Sequence, residues 1–219
     1  SWIWTAPQEK GLYPITLTDT VNGETMTINA FVMVPASAAE NGMIDGYKLG
    51  DYPAKPLRND PAYEPPAGFI EVTEANQGTQ LSPHFTLGEF VSKQQPGWPK
   101  YVALRERLLL KLELIINELQ EAGYPATSLQ IMSGFRTPAY NKRISQSQYS
   151  RHQWGDAADV FVDELPRNGG MDDLNADGKI SVKDAREIFD LVNELNDNDW
   201  YRPFIGGMGL YEAKPGVRG

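Results

Sequence analysis

The chain reads as an α+β protein, on three observations. Its first third carries alternating apolar positions about an Asn-Gly turn. Its middle carries a long run with apolar residues every three and four positions. Strand-like and helix-like segments are grouped along the chain rather than strictly alternating, which argues against a doubly wound parallel sheet and for a small antiparallel sheet with packed helices.

The elements follow in order. Ile15 to Val34 holds two β-rich runs about Asn22-Gly23, a dipeptide that tolerates the positive φ angles of a tight hairpin turn. In the second run Met26, Ile28, Ala30, Val32 and Val34 alternate with Thr27, Asn29 and Phe31, giving one consistently apolar face. A short extended piece is expected over Tyr47–Tyr52. Pro53, Pro56, Pro61, Pro65 and Pro66 then mark a linker or irregular wrap, and Phe69–Val72 reads as one more strand.

From Leu81 the character changes. Thr86 and Glu89 frame a capped short helix. The longest helix is expected over Lys100–Ala122, where Tyr101, Leu104, Leu108, Leu112, Ile115 and Leu119 share a face and Gly123 and Pro125 supply the stop. Leu129–Met132 and Asp159–Val162 read as strands, Val182–Leu195 as a last helix, and Phe204–Tyr211 as a glycine-rich strand. The expected division is a β-rich accessory segment over residues 1–80 and a main domain over 81–219.

Composition narrows the function. At 219 residues the chain suffices for one sizeable domain with an appendage, and 41% hydrophobic with 22% charged residues is ordinary for a globular protein. The longest apolar run, Leu108–Ile116, is broken by Lys111 and Glu113, so no membrane span is expected. A net charge of −9 without a basic cluster argues against nucleic acid. Cysteine is absent, which excludes a disulfide framework and a thiolate metal site. The chain opens at Ser1 with no apolar signal core, as expected of a processed periplasmic or extracellular protein whose signal peptide has been removed. A monomer is expected.

The richest chemistry lies between Ser150 and Asp159. His152 and Asp159 stand seven residues apart, with Gly155 and two alanines between. Imidazole plus carboxylate is a ligand mixture that suits zinc, and small residues let backbone approach an ion closely. The plainer alternative is a core histidine bonded to a nearby carboxylate. Ser150 before the histidine and Ala157 before the aspartate make a fuller pattern than two ligands alone.

Ser133-Gly134-Phe135-Arg136-Thr137-Pro138 with Asn141, followed by Ser150-x-His152-x-x-Gly155-x-Ala157-x-Asp159, resembles the zinc D-alanyl-D-alanine carboxypeptidases, including VanY-type cell-wall peptidases that share a core with the hedgehog signalling domain. The resemblance covers roughly Leu81–Tyr211. It implies zinc held by His152, Asp159 and a second histidine, a peptidoglycan stem-peptide substrate, and Arg136 facing that substrate. A scissile amide under attack gains negative charge on its oxygen, which a guanidinium stabilises; Arg136 could equally hold a C-terminal carboxylate, or be a surface arginine. Ser150 is expected to bind substrate or backbone rather than act as a nucleophile, and Trp154 to stand at the pocket mouth. The other tryptophans, Trp2, Trp4, Trp98 and Trp200, are expected mostly as core or wall material.

In that family the third ligand is a histidine near the C-terminus, after a glycine-rich strand resembling Gly206–Tyr211, and the catalytic acid/base lies close to it. The sequence ends at Gly219 before either, so both are expected in a missing tail and neither is assigned. His84, just before the Thr86 cap, is expected in packing or a substrate groove. The competing function class is a non-enzymatic module that binds murein peptides or a protein partner on a degenerate peptidase fold.

A second metal signal is independent. Asp173-Leu174-Asn175-Ala176-Asp177-Gly178-Lys179 through Asp184 matches an EF-hand-type calcium loop, with Asp173, Asn175, Asp177, the Lys179 carbonyl and Asp184 as oxygen ligands and Gly178 at the sharp turn. Asp replaces the usual final Glu, and no clear helix precedes the loop, as in dockerin-like loops. The alternative is an acidic turn capping the helix that starts at Val182. A structural calcium would brace the residues between Asp159 and that helix.

Overall fold

The computed structural model describes residues 3–95, 97–145 and 147–211; Trp2 lies outside them. It shows a mixed α and β architecture with small antiparallel sheets and a few helices, as the α+β reading expects. Contacts divide the chain into two compact units, both discontinuous in sequence. The first comprises the residues up to Leu81 with Phe85–Arg105 and Ser133–Ala157; the second comprises Ser82–His84, Glu106–Met132 and the residues from Ala158 on. No helix among the described residues is long and apolar enough to cross a membrane.

In the first unit β1 (Gly11–Thr18) and β2 (Thr25–Val32) form the expected hairpin, with Ile15 opposite Ile28. Its connection is wider than the two-residue turn expected at Asn22-Gly23. The Asp19 N–H donates to the Glu24 carbonyl, and the Asp19 carboxylate takes the Val21 N–H at 2.7 Å, so the loop closes from Asp19 instead. The apolar face is only partly covered, with Met26 58% and Ile28 46% exposed. Alternation selects which residues share a face and does not by itself cover that face.

β3 (Val34–Pro35) pairs with β6 (Gly68–Val72), and β6 with β7 (Lys100–Val102), in the order β3-β6-β7. Between β3 and β6, β4 (Met43–Ile44) and β5 (Tyr47–Lys48) make a minimal antiparallel pair. Phe69, Val72, Phe90, Tyr101 and Phe135 are at most 1% exposed and form the core here, each contributing roughly 2–3 kcal/mol through burial.

The long helix is shorter at its start than its periodicity suggests. α1 spans Glu106–Glu121, because Lys100–Val102 is a strand whose Val102 stands opposite Ile70. Tyr101 fits a helical face and a strand equally well, so the periodicity alone does not separate the two. The stop is as expected: Gly123 has φ +86°, and the Tyr124 N–H reaches back to the Leu119 carbonyl.

In the second unit α1 packs with a later helix, while β8 (Gln130–Ser133) pairs with β9 (Asp159–Phe161). Between these strands in sequence, α2 (Pro138–Ile144) belongs to the first unit. α3 covers Val182–Leu195, as its sequence pattern indicates, and opens on a capping box formed by Ser181 and Asp184. The Tyr124 hydroxyl bonds the Glu187 carboxylate at 2.6 Å, which pins the end of α1 to α3. The strand expected over Phe204–Tyr211 does not form: Asp199–Phe204 is a 3-10 helix and the next described residues have no regular structure. Trp4 and Trp200 are about half exposed rather than core, at 46% and 50%.

Candidate functional site

The two sequence motifs of the first unit meet through backbone and side-chain hydrogen bonds. His152 lies on a short 3-10 helix, Arg151–Trp154, and its Nδ1 is 2.8 Å from the Gly134 carbonyl. A carbonyl only accepts, so Nδ1 carries the hydrogen of that bond and the ring is anchored through it. That is how metal-binding histidines are oriented, with one nitrogen anchored and the other directed to the ion. The Arg136 N–H donates to the His152 carbonyl at 3.1 Å, so the arginine and the imidazole are held in one register.

Two glycines make this approach possible. A side chain on Gly134 would lie 2.7 Å from Phe90 Cα. Gly155 has φ +70°, and a Cβ there would meet the Ala103 backbone within 2.5 Å. Its carbonyl accepts from the Arg105 N–H at 2.9 Å, which fastens the end of the 3-10 helix to the segment after β7.

Arg136 is half-buried, and its Nε donates to Ser133 Oγ at 2.8 Å, fixing the plane of the guanidinium. Ser150 stands at the N-cap of the 3-10 helix and makes no capping bond with its side chain, while its carbonyl accepts from the Gln153 N–H. Trp154, expected at a pocket mouth, is 1% exposed: its indole N–H donates to the Glu64 carbonyl at 3.0 Å and its ring packs against Tyr52, Tyr63 and Tyr149. Arg151 stacks on Tyr63 with 4.2 Å to the ring centre and grips Asp156 through two hydrogen bonds. Residues from the proline-rich stretch thus wall the helix that carries His152.

Asp159 belongs to the second unit, where it opens β9 and is half-buried. His84 is in the same unit, with its Nδ1 2.6 Å from one Glu113 oxygen and its backbone N–H 3.0 Å from the other. Burial raises the pKa of Glu113, but hydrogen bonds from Ser82 and His84 outweigh it and hold the carboxyl below its ordinary value. Glu113 as the anchor of His84 was not expected from sequence; its place on the α1 face toward residues 82–84 shows only in the fold.

The acidic loop before α3 has the turn geometry of its motif. Asp173 accepts the N–H of Gly178 at 2.7 Å and of Asp177 at 3.1 Å, Asn175 accepts that of Asp177 at 2.9 Å, and Asp177 accepts that of Lys179 at 3.0 Å. Asp184, fully buried, accepts from Asn175 and Ser181 N–H groups. Ala176 and Gly178 take positive φ, at 56° and 81°. The carboxylates are directed to backbone N–H groups, and among the described residues there is no cluster of three or more His, Asp or Glu side chains that could hold a metal ion. By donor type alone, the imidazole of His152 is one that zinc takes, and the carboxylate and carbonyl oxygens of the loop are ones that calcium takes.

A family model described as Peptidase M15 matches residues 83–171, somewhat under half of the chain and including Arg136, His152 and Asp159. That match supports a peptidase, in a family of zinc-dependent enzymes that includes VanY-type D-Ala-D-Ala carboxypeptidases. No curated protein matches the chain, and no solved structure does.

Proposed function

We propose that this protein is a zinc-dependent peptidase that cleaves peptide bonds adjacent to D-amino acids in peptidoglycan stem peptides. The observation that carries the reading is the 2.8 Å bond from His152 Nδ1 to the Gly134 carbonyl, within a segment matching Peptidase M15. His152 and Asp159 are the proposed zinc ligands. When bound, zinc supplies Lewis acidity toward the scissile carbonyl and acidifies a coordinated water. Arg136, oriented by Ser133, stabilises the charge that develops on the amide oxygen or holds the terminal carboxylate of the peptide. Ser150 contributes a hydroxyl for substrate binding. Trp154 shapes the site from beneath by packing the 3-10 helix. A substrate of this class lies outside the cytoplasm, so a periplasmic or extracellular location goes with the reading.

The test is D-alanine release from a stem pentapeptide ending in D-Ala-D-Ala by the full-length zinc-loaded protein. Release should stop with chelator and return with zinc, and Arg136→Ala should lower kcat/KM by about 10²–10³. Release of a larger fragment identifies an endopeptidase. Tight binding without cleavage supports the non-enzymatic murein-binding module, and neither binding nor cleavage overturns both readings.

The loop from Asp173 to Asp184 is proposed to bind a structural calcium through Asp173, Asn175, Asp177, the Lys179 carbonyl and Asp184. Ten-millimolar-range calcium over a site of ~0.1–1 mM affinity adds about 2 kcal/mol of stability. For a chain of this size that raises Tm by about 5 °C. Thermal melts of wild type should show the shift, and Asp173→Asn should remove it without lowering the calcium-free Tm by as much.

A further inference from the structure

The 3-10 helix that carries His152, Arg151–Trp154, is four residues long, and a turn of that length has too few internal bonds to hold its own geometry. Its backbone closures are the Gln153 N–H to the Ser150 carbonyl at 3.0 Å and the Gly155 N–H to the His152 carbonyl at 3.4 Å. Much of its support comes from residues 52–64. Arg151 Nη1 donates to the Ala62 carbonyl at 2.9 Å, the Tyr52 hydroxyl donates to the Gln153 carbonyl at 2.7 Å, and the Trp154 indole N–H donates to the Glu64 carbonyl at 3.0 Å. The fourth residue is His152, whose ring bonds Gly134.

Arg151 closes these contacts into a ring. The Ala62 carbonyl takes a second guanidinium, from Arg105 Nη2 at 3.1 Å. Arg105 Nε lies 3.8 Å from the Asp156 carboxylate, which Arg151 grips through both oxygens. The Arg105 backbone N–H holds the Gly155 carbonyl at 2.9 Å. Two cations, one carboxylate and one carbonyl therefore fasten both ends of the turn. Tyr63 fills the space between, with the Arg151 guanidinium 4.2 Å from its ring centre and the Trp154 ring edge-on at 5.3 Å. Pro53, Pro56 and Pro61 fix φ along the segment, so less backbone freedom is lost when it makes these contacts.

We propose that residues 52–64 act as a clamp that sets the orientation of the His152 ring, with Arg151 as the positioning residue. The clamp lies before the stretch that matches Peptidase M15, so the support of this candidate ligand comes from outside that stretch. Its consequence for zinc rests on the peptidase reading; its consequence for the ring does not.

Two measurements on the full-length protein test it. In ¹⁵N-histidine-labelled, zinc-free protein the His152 Nδ1–H signal reports the bond to Gly134, and His84→Gln assigns it by removing the signal of the other histidine. Its exchange with solvent should quicken about tenfold in Arg151→Met, which keeps the stem and loses the fork. It should quicken about threefold in Tyr52→Phe, which keeps the ring and loses only the bond to Gln153. The zinc Kd should rise about tenfold in Arg151→Met, as for other groups that orient a metal ligand. Arg151→Lys, charged but without the planar fork, should restore neither. Gly123→Ala, destabilised in the second unit, should leave both at their wild-type values, which separates positioning from a general loss of stability. Should Arg151→Met fail to fold, the exchange rate in Tyr52→Phe decides. Faster exchange in the variants, with no zinc bound by wild type, supports the clamp and overturns the peptidase reading. Wild-type exchange in Arg151→Met and Tyr52→Phe, or rates that Gly123→Ala reproduces, overturns the clamp.

Discussion

Replacing His152 with glutamine should abolish D-alanine release, by about a thousandfold or more, while leaving the protein folded. Loss of a single oxyanion donor costs about 10²–10³ in rate, and loss of a ligand to the ion that polarises the carbonyl costs at least as much. The structural cost is smaller. The bond from the His152 ring to the Gly134 carbonyl is worth about 1 kcal/mol net, and a glutamine amide can still donate there. Zinc content separates the two effects: the variant should melt within a few degrees of wild type, about 2–4 °C per kcal/mol, yet lose its zinc. A variant that keeps stoichiometric zinc and loses only stability would assign His152 to packing.

The second large effect is expected at Gly155. Its φ of +70° is unfavourable for any residue with a Cβ, and the added atom would sit 2.5 Å from the Ala103 carbonyl carbon and 2.7 Å from the Leu104 nitrogen. Both neighbours are backbone, so neither can rotate away. Left-handed strain of about 1 kcal/mol and overpacking of about 1–3 kcal/mol together predict a loss of several kcal/mol for Gly155→Ala. In a protein of this length that lowers Tm by about 10 °C. Gly123 provides the control, since its φ is +86° but a Cβ there meets nothing within 4 Å. Gly123→Ala should therefore cost only the conformational part, about 1 kcal/mol. Equal melting shifts for the two variants would show that close approach to Ala103 does not matter.

The parts of this fold legible in the sequence are those with local causes. α3 runs from Val182 to Leu195 as read, because Ser181 and Asp184 cap it and its apolar residues keep one period. The Thr86–Glu89 box is equally local. The misreadings come from partners far along the chain. Lys100–Val102 is a strand because β6 lies beside it, which no window about Tyr101 reveals. Phe204–Tyr211 has strand-like residues but no strand to pair with among the described residues. Met26 and Ile28 form the face that alternation indicates, and remain uncovered. At the candidate site, the motif spacing singles out His152 and Arg136 as candidates, while the bonds that orient them run to Gly134 and Ser133. Burial of Trp154 depends on Tyr52, Tyr63 and the Glu64 carbonyl, roughly ninety or more residues earlier, so its place beneath the helix rather than at a surface emerges only from the packing.

Anomalous diffraction at the zinc edge, on crystals of the full-length protein, tests the central claim most directly. A single strong peak about 2.0–2.1 Å from His152 Nε2, with the Asp159 carboxylate at about 2.0–2.2 Å, is the expected result. No zinc peak, or one bonded to neither residue, would contradict it.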